Sequence, residues 1–316
     1  MALIDKLENI GDAIRNKTGK TDLLTLDEMV TEINNIETGG GSGGDVSEYF
    51  NTEINTSGSS SYPLWTKTIK KMPDLTIGNN VTSMGYTFYK YLGNEIPNVT
   101  ILSDNITNFE YCFAFCLNVT TIPEIDTSKG TNFSYMFNGS NNLISVPNID
   151  TSNGTNFSSI FSGCNSLTTI PEIDTSNGKN FSNMFYSTSE SKLETIPKLN
   201  MSKATNITNF IYTSKGGSQT NFPYLENLGG FENLGEAYST TASANNNSYT
   251  LDILSNIKYA DLNKITHDSL MNVINYLYDI KTKGCNTQSL KLGSINLAKL
   301  TAEEIAIATN KGWTVS

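Results

Sequence analysis

Three stretches decide the fold: IDTSKGTNFSYMF at 125–137, IDTSNGTNFSSIF at 149–161 and IDTSNGKNFSNMF at 173–185. They recur every 24 residues, so that Phe133, Phe157 and Phe181 align, as do Met136, Ile160 and Met184, and Phe137, Phe161 and Phe185. The prolines extend this register outward. Pro73, Pro97, Pro123, Pro147, Pro171, Pro197 and Pro223 are spaced 24, 26, 24, 24, 26 and 26 residues apart. A fixed period of this length marks a stacked-repeat protein. Just before the prolines come Ile96, Ile122, Val146, Ile170, Ile196 and Phe222; two residues after them come Val99, Ile125, Ile149, Ile173, Leu199 and Leu225. A unit this small cannot bury its own apolar side chains. Copies in register bury Phe on Phe and Ile on Ile as one continuous core.

Within a unit, Leu167-Thr-Thr-Ile170 is short and β-branched, which predicts a strand just before each proline. Proline cannot donate to a ladder and should end that strand. Asp-Thr-Ser before Asn-Phe-Ser predicts an Asx turn leading into a short helical turn. Gly130, Gly154 and Gly178 fall where a tight turn would use positive φ. The expected fold class is an α/β repeat solenoid with short parallel strands.

Composition limits the function. Charged residues are 16% of the 316, against roughly 25% in an average soluble protein. The surface is therefore built largely from Asn, Ser and Thr. A net charge of −10 argues against a phosphate-backbone binder, so no nucleic-acid partner is expected. No run of 18 apolar residues occurs, and no membrane insertion is expected. Asp5, Glu8 and Asp12 interrupt the apolar clusters of the first residues, which does not read as a secretory signal; synthesis in a host cytoplasm is expected. Cys112, Cys116, Cys164 and Cys285 are too scattered for a disulfide framework and read as small core thiols. With His267 the sole histidine, a three-His metal site is excluded. That residue sits at a predicted helix start and reads as a surface or capping group.

The stretches CFAFCLNVTTIP (112–123), MFNGSNNLISVP (136–147) and IFSGCNSLTTIP (160–171) resemble the bacterial BspA-like leucine-rich repeats. The resemblance covers about residues 73–225 and is most regular over 108–200. It implies a leucine-rich-repeat stack and leaves function open, because such repeats serve adhesins, surface proteins and phage tail tips alike.

The flanks divide the chain further. Leu3, Leu7, Ile10 and Ile14 lie at helical spacing; Leu26, Met29, Val30 and Ile33 form a second apolar face after a possible capping box at Thr25 and Glu28. Two short helices cannot form a core alone and must pack on something else. GGGSGG at 39–44 is a flexible linker. The stretch ALIDKLENIGDAIRNKTGKTDLLTLDEMVTEI resembles the N-terminal module of tail and baseplate-associated proteins of phages and prophages from Gram-positive bacteria. That resemblance implies docking onto a virion or phage-tail-like particle through Leu3, Leu7, Ile10, Ile14, Leu26, Met29 and Ile33, with self-association as a further use of the same faces. Towards the C-terminus, Leu270, Val273, Ile274, Leu277 and Ile280 predict a helix face, SLKLGS at 289–294 a strand, Thr301-x-x-Glu304 a helix start and Trp313-Thr-Val a closing strand. The ending NLAKLTAEEIAIATNKGWTV also resembles the close of repeat-bearing phage tail proteins. The expected units are an attachment module at 1–38, the linker at 39–44, a lead-in segment or N-terminal cap at 45–72, repeats at 73–225, and further repeats with a β/α cap at 226–316.

Candidate sites follow from what repeats and what varies. Asp126, Asp150 and Asp174 recur, with Asn200 next in line. They read either as a calcium ladder or as turn formers accepting backbone N–H bonds; one carboxylate per unit is few for a cage of six to eight oxygens, so no metal is assigned. No carboxylate pair is singled out by its spacing for glycoside hydrolysis, and no enzyme activity or cofactor is expected. Scaffold positions repeat, whereas contact positions are free to differ. Glu124, Asn148, Glu172 and Lys198 follow the prolines and change chemistry down the chain; Tyr135, Ser159 and Asn183 vary between the phenylalanines. Tyr86, Tyr89, Tyr91, Tyr186 and Tyr212 offer rings to sugars. The candidate binding set is Glu124, Asn148, Glu172, Lys198, Tyr135 and Tyr186. With the resemblances, it predicts a receptor-binding or adhesion protein of a phage tail or tail-like particle. Its partners would be tail or baseplate proteins on one side and a bacterial surface glycan or protein on the other. The alternatives are a structural baseplate or tail-assembly protein without receptor contact, and a BspA-like surface adhesin, which would require export.

Overall fold

The computed structural model describes residues 53–54, 74–187, 191–213, 225, 227–254 and 264–316. The residues expected to attach the chain to a particle, Leu3, Leu7, Ile10, Ile14, Leu26, Met29 and Ile33, the expected linker at 39–44 and nearly all of 45–72 lie outside them.

Among the described residues every strand pair is parallel, as a chain returning to the same side of each unit requires. Strands Glu53–Ile54, Leu75–Ile77 and Val99–Ile101 form one sheet in that order. The middle units are joined by single parallel bridges linking Ser83, Asn108, Asn132, Asn156, Asn180 and Asn206 in succession. Asparagine suits this position because its side chain serves two partners. Its Oδ1 accepts the N–H two residues on, at 3.1 Å from Ser134 and 3.2 Å from Ser158. Asn132 Nδ2 also donates to Asn108 Oδ1 at 3.0 Å. Around these bridges the backbone alternates. Phe133, Tyr135, Phe137 and Gly139 donate to the next unit at 2.9, 2.8, 3.1 and 2.8 Å, while Met136 and Asn138 donate back three residues within their own turn.

The rings stack along this ladder. Phe109, Phe133, Phe157 and Phe181 lie with centroids 5.6, 5.8 and 5.4 Å apart. A second column, Phe88, Phe113, Phe137, Phe161 and Phe185, steps by 5.2–5.9 Å. The small residue after each second phenylalanine satisfies a carbonyl one unit back: Cys116 Sγ donates to Phe88 O, Ser140 Oγ to Phe113 O and Cys164 Sγ to Phe137 O. Burial pushes the Cys116 and Cys164 thiols up to about 12. The buried apolar residues join into one cluster running from Leu75 to Trp313.

Several local expectations are corrected. Residues 167–170 form no strand; of the stretches before the described prolines only Thr195–Ile196 does, pairing with Asn227–Leu228. Elsewhere one bond per unit crosses there, such as Ile144 N–H to Thr120 O at 2.9 Å, which is too sparse for a ladder beside a residue with no donor. The other pairs, Phe185–Ser187 with Ile211–Thr213 and Leu199–Asn200 with Phe231–Glu232, lie elsewhere in the unit. The segment after the Asx turn is a run of hydrogen-bonded turns rather than helix. Gly130, Gly154 and Gly178 do not have positive φ; glycine is needed because a Cβ there would lie 2.3, 2.4 and 2.2 Å from Phe133, Phe157 and Phe181.

Beyond the repeats come helices Glu236–Ala244, His267–Asn275, Ser294–Leu297 and Ala302–Asn310, and a parallel sheet ordered Thr250–Asp252, Gln288–Lys291, Trp313–Val315. The predicted apolar face from Leu270 to Ile280 is buried, but its helix stops at Asn275, and Leu277 bridges to Leu234 instead. Lys311 Nζ caps that helix, donating to Asn275 O at 2.7 Å and Leu277 O at 3.0 Å. Thr301 and Glu304 stand at the expected helix start, where they form a capping box, and Trp313 is buried with its indole N–H on Tyr278 O at 2.9 Å.

Candidate functional site

The variable position between the phenylalanines has a specific backbone. Tyr86, Tyr111, Tyr135, Ser159, Asn183 and Asn209 have φ of 62, 54, 57, 55, 54 and 53°. This left-handed region is rare for any residue with a Cβ, tolerated best by Asn, and unfavourable for a bulky one. Two of the six carry Asn; the first three carry Tyr, where the preference is worst. Those three rings stack: Tyr86 and Tyr111 lie 4.8 Å apart, Tyr111 and Tyr135 4.4 Å apart and only 4° from parallel. Stacking of roughly 0.5–1.5 kcal/mol per pair offsets part of the backbone cost, roughly 1–2 kcal/mol per residue. All three side chains are half-buried at the surface.

Neighbouring aromatics complete the patch. Tyr89 stands across the column, at 61° to Tyr86 and 78° to Tyr111. Phe115 lies edge-on to Tyr89 and covers Gly139, where a Cβ would come within 2.6 Å of its ring. Lys90 Nζ sits 5.0 Å from the Tyr89 centroid and 6.0 Å from that of Phe115. Burial, and then the neighbouring phenols Tyr135 and Tyr86, raise the Tyr111 phenol well above the ordinary tyrosine range. It stays a protonated donor throughout the physiological range.

The other predicted residues scatter. Glu124, Asn148 and Glu172 are exposed. Lys198 is committed within the chain: its Nζ pairs with Glu232 Oε2 at 3.3 Å and lies 4.5 Å from the Tyr276 centroid. Tyr186 is half-buried in the strand Phe185–Ser187, in register with Tyr212. Tyr91 is fully buried in the core and offers no ring to a ligand. Tyr111 was missed by reading the units only from Phe133 onward; aligning Asn108-Phe109-Glu110-Tyr111 with Asn132-Phe133-Ser134-Tyr135 would have found it.

Asp126, Asp150 and Asp174 form turns. Each Oδ1 accepts a backbone N–H, from Ser128 at 2.9 Å, Ser152 at 2.9 Å and Ser176 at 2.8 Å. Those backbone bonds hold the Asp126 and Asp150 carboxyls below the usual range. Among the described residues no group of three or more His, Cys, Asp or Glu side chains is placed to hold a metal ion. A crevice between Phe161, Cys164, Phe185 and Ser191 has room for about one water molecule. No described helix is long and apolar enough to cross a membrane.

Residues 106–222 match a family model described as "Mycoplasma protein of unknown function, DUF285". No curated protein and no solved structure matches the chain.

Proposed function

We propose that this is a receptor-binding or adhesion protein of a phage tail or phage-tail-like particle. In this reading the N-terminal segment attaches it to the particle, and a leucine-rich-repeat solenoid presents its turns to a bacterial envelope component. The observation that carries the adhesive half is the left-handed column: one backbone position, repeated in six units, is occupied by tyrosines at one end and by small polar residues at the other. The scaffold position two residues before it stays buried and apolar in every one of these units, as Met84, Phe109, Phe133, Phe157, Phe181 and Ile207. The particle half rests on the resemblance of residues 2–33 and of the final residues to phage tail proteins.

The mechanism is binding without bond cleavage. A glycosidase acid needs a carboxyl with a raised pKa, whereas Asp126 and Asp150 are shifted down. Many copies on one particle would multiply weak contacts into firm attachment by raising effective concentration. The test is whole-cell binding by the labelled full chain across a panel of Gram-positive strains, alongside incorporation of a variant lacking residues 1–38 into particles. Binding to no strain would remove the adhesive role and favour a purely structural tail protein. Normal incorporation of the shortened chain would remove the attachment role of the head.

A further inference from the structure

The left-handed column has a chemistry of its own. From Tyr86 to Asn209 it reads Tyr, Tyr, Tyr, Ser, Asn, Asn. Every one of these side chains is neutral, and every one can both donate and accept a hydrogen bond. The backbone prefers Asn at such φ values, and two units have it. Placing Tyr at the other end goes against that local preference, a departure that points to a function for the rings.

We propose that this column is the contact line for a neutral polysaccharide, with Tyr86, Tyr111 and Tyr135 as its anchor. The inference rests on the adhesion reading and names its ligand class. Stacked 4.4–4.8 Å apart, the rings cover both faces of Tyr111 and one face each of Tyr86 and Tyr135, so the stack presents chiefly ring edges and phenol groups. Ring edges carry the positive end of the aromatic quadrupole and suit the oxygens of a hydroxyl-rich chain. A polyanion is disfavoured by Glu110, whose charge reaches Tyr111, and by the net charge of −10. Further along, the line continues as amides, with Asn209 Nδ2 on Asn183 Oδ1 at 3.2 Å.

The protein supplies its own control, because Asn and Ser already occupy this position in other units. The triple variant Tyr86→Asn, Tyr111→Asn, Tyr135→Asn and the single variant Tyr135→Ser replace each ring with a residue the backbone accepts. Binding of full chains would be measured to three envelope fractions from a strain that the wild type binds: neutral polysaccharide, phosphate-containing polymer and protein. The expected result is wild-type binding to the neutral fraction, at least tenfold weaker for the triple variant and measurably weaker for Tyr135→Ser, with melting temperatures equal to or above wild type. Unchanged binding by the triple variant would overturn the proposal. So would wild-type preference for the phosphate or protein fraction, or a fall in melting temperature that accounts for the lost binding. In each of these cases whole-cell binding still stands, which separates this inference from the adhesion reading it extends.

Discussion

The Phe157 ring rests on Gly154: a Cβ built at that glycine would lie 2.4 Å from the ring's Cζ. The same relation links Gly130 to Phe133 and Gly178 to Phe181. Glycine recurs in these units to make room for the tip of the ring against the chain, and its φ plays no part. Gly154→Ala should therefore displace a stacked ring and destabilise the protein by about 1–3 kcal/mol, the usual range for overpacking. Urea denaturation with an unchanged midpoint would show that the ring can move aside freely.

Phe157 has stacked neighbours on both sides, Phe133 at 5.8 Å and Phe181 at 5.4 Å, and is fully buried. Truncation leaves a cavity that two flanking units cannot both collapse into. Phe157→Ala should cost roughly 3–5 kcal/mol. A loss under about 1 kcal/mol, measured by the same denaturation, would mean that the column contributes little to stability.

For the aspartate column the distinction is between charge and hydrogen bonding. Asp150 accepts the Ser152 N–H at 2.9 Å through one oxygen. Asp150→Asn keeps an acceptor and should be nearly neutral, whereas Asp150→Ala should cost about 0.5–1.5 kcal/mol. Chelation with EDTA should leave the melting temperature unchanged. A loss on chelation that calcium restores would instead make Asp126, Asp150 and Asp174 a cation site.

His267 Nε2 meets Glu304 Oε1 at 2.8 Å, joining the start of helix His267–Asn275 to the capping box of helix Ala302–Asn310. Its hydrogen bond to Glu304 raises the imidazole pKa above 6.5, so this stabilisation is complete below about that pH and fades as pH rises through the higher folded value. Glu304 is held below 4.5, first by the Thr301 N–H, so its share is complete above that pH and lost as pH falls. His267→Gln should lower the melting temperature at pH 5.5 and change it less at pH 8.5. Equal changes at both would show that the pair's charge is not used.

Much of the register was legible because side chains that stack must recur. Phe133, Phe157 and Phe181 gave the 24-residue step at which the Asn132–Asn156–Asn180 bridges form. What sequence could not supply was the backbone between them. Glycine marks positive φ only when used for it, and here the left-handed positions carry Tyr135, Ser159 and Asn183 while Gly154 serves a ring. The stretch Leu167–Ile170 has strand composition, but a neighbouring unit offers it too few partners for a ladder. Of the candidate binding residues, Tyr135 proved part of a stack because its partners Tyr86 and Tyr111 share its register. Lys198 proved tied to Glu232, a pairing between residues 34 apart that no local pattern foretells.

The most direct measurement is saturation binding of the fluorescent full-length protein to intact Gram-positive cells, before and after chemical removal of their wall polysaccharide. The adhesion account predicts saturable binding to at least one strain, and the polysaccharide inference predicts that it is lost when the polysaccharide is stripped and competed by the free polysaccharide. Binding that is absent from every strain would contradict the adhesion account; binding that survives stripping undiminished would contradict the polysaccharide inference.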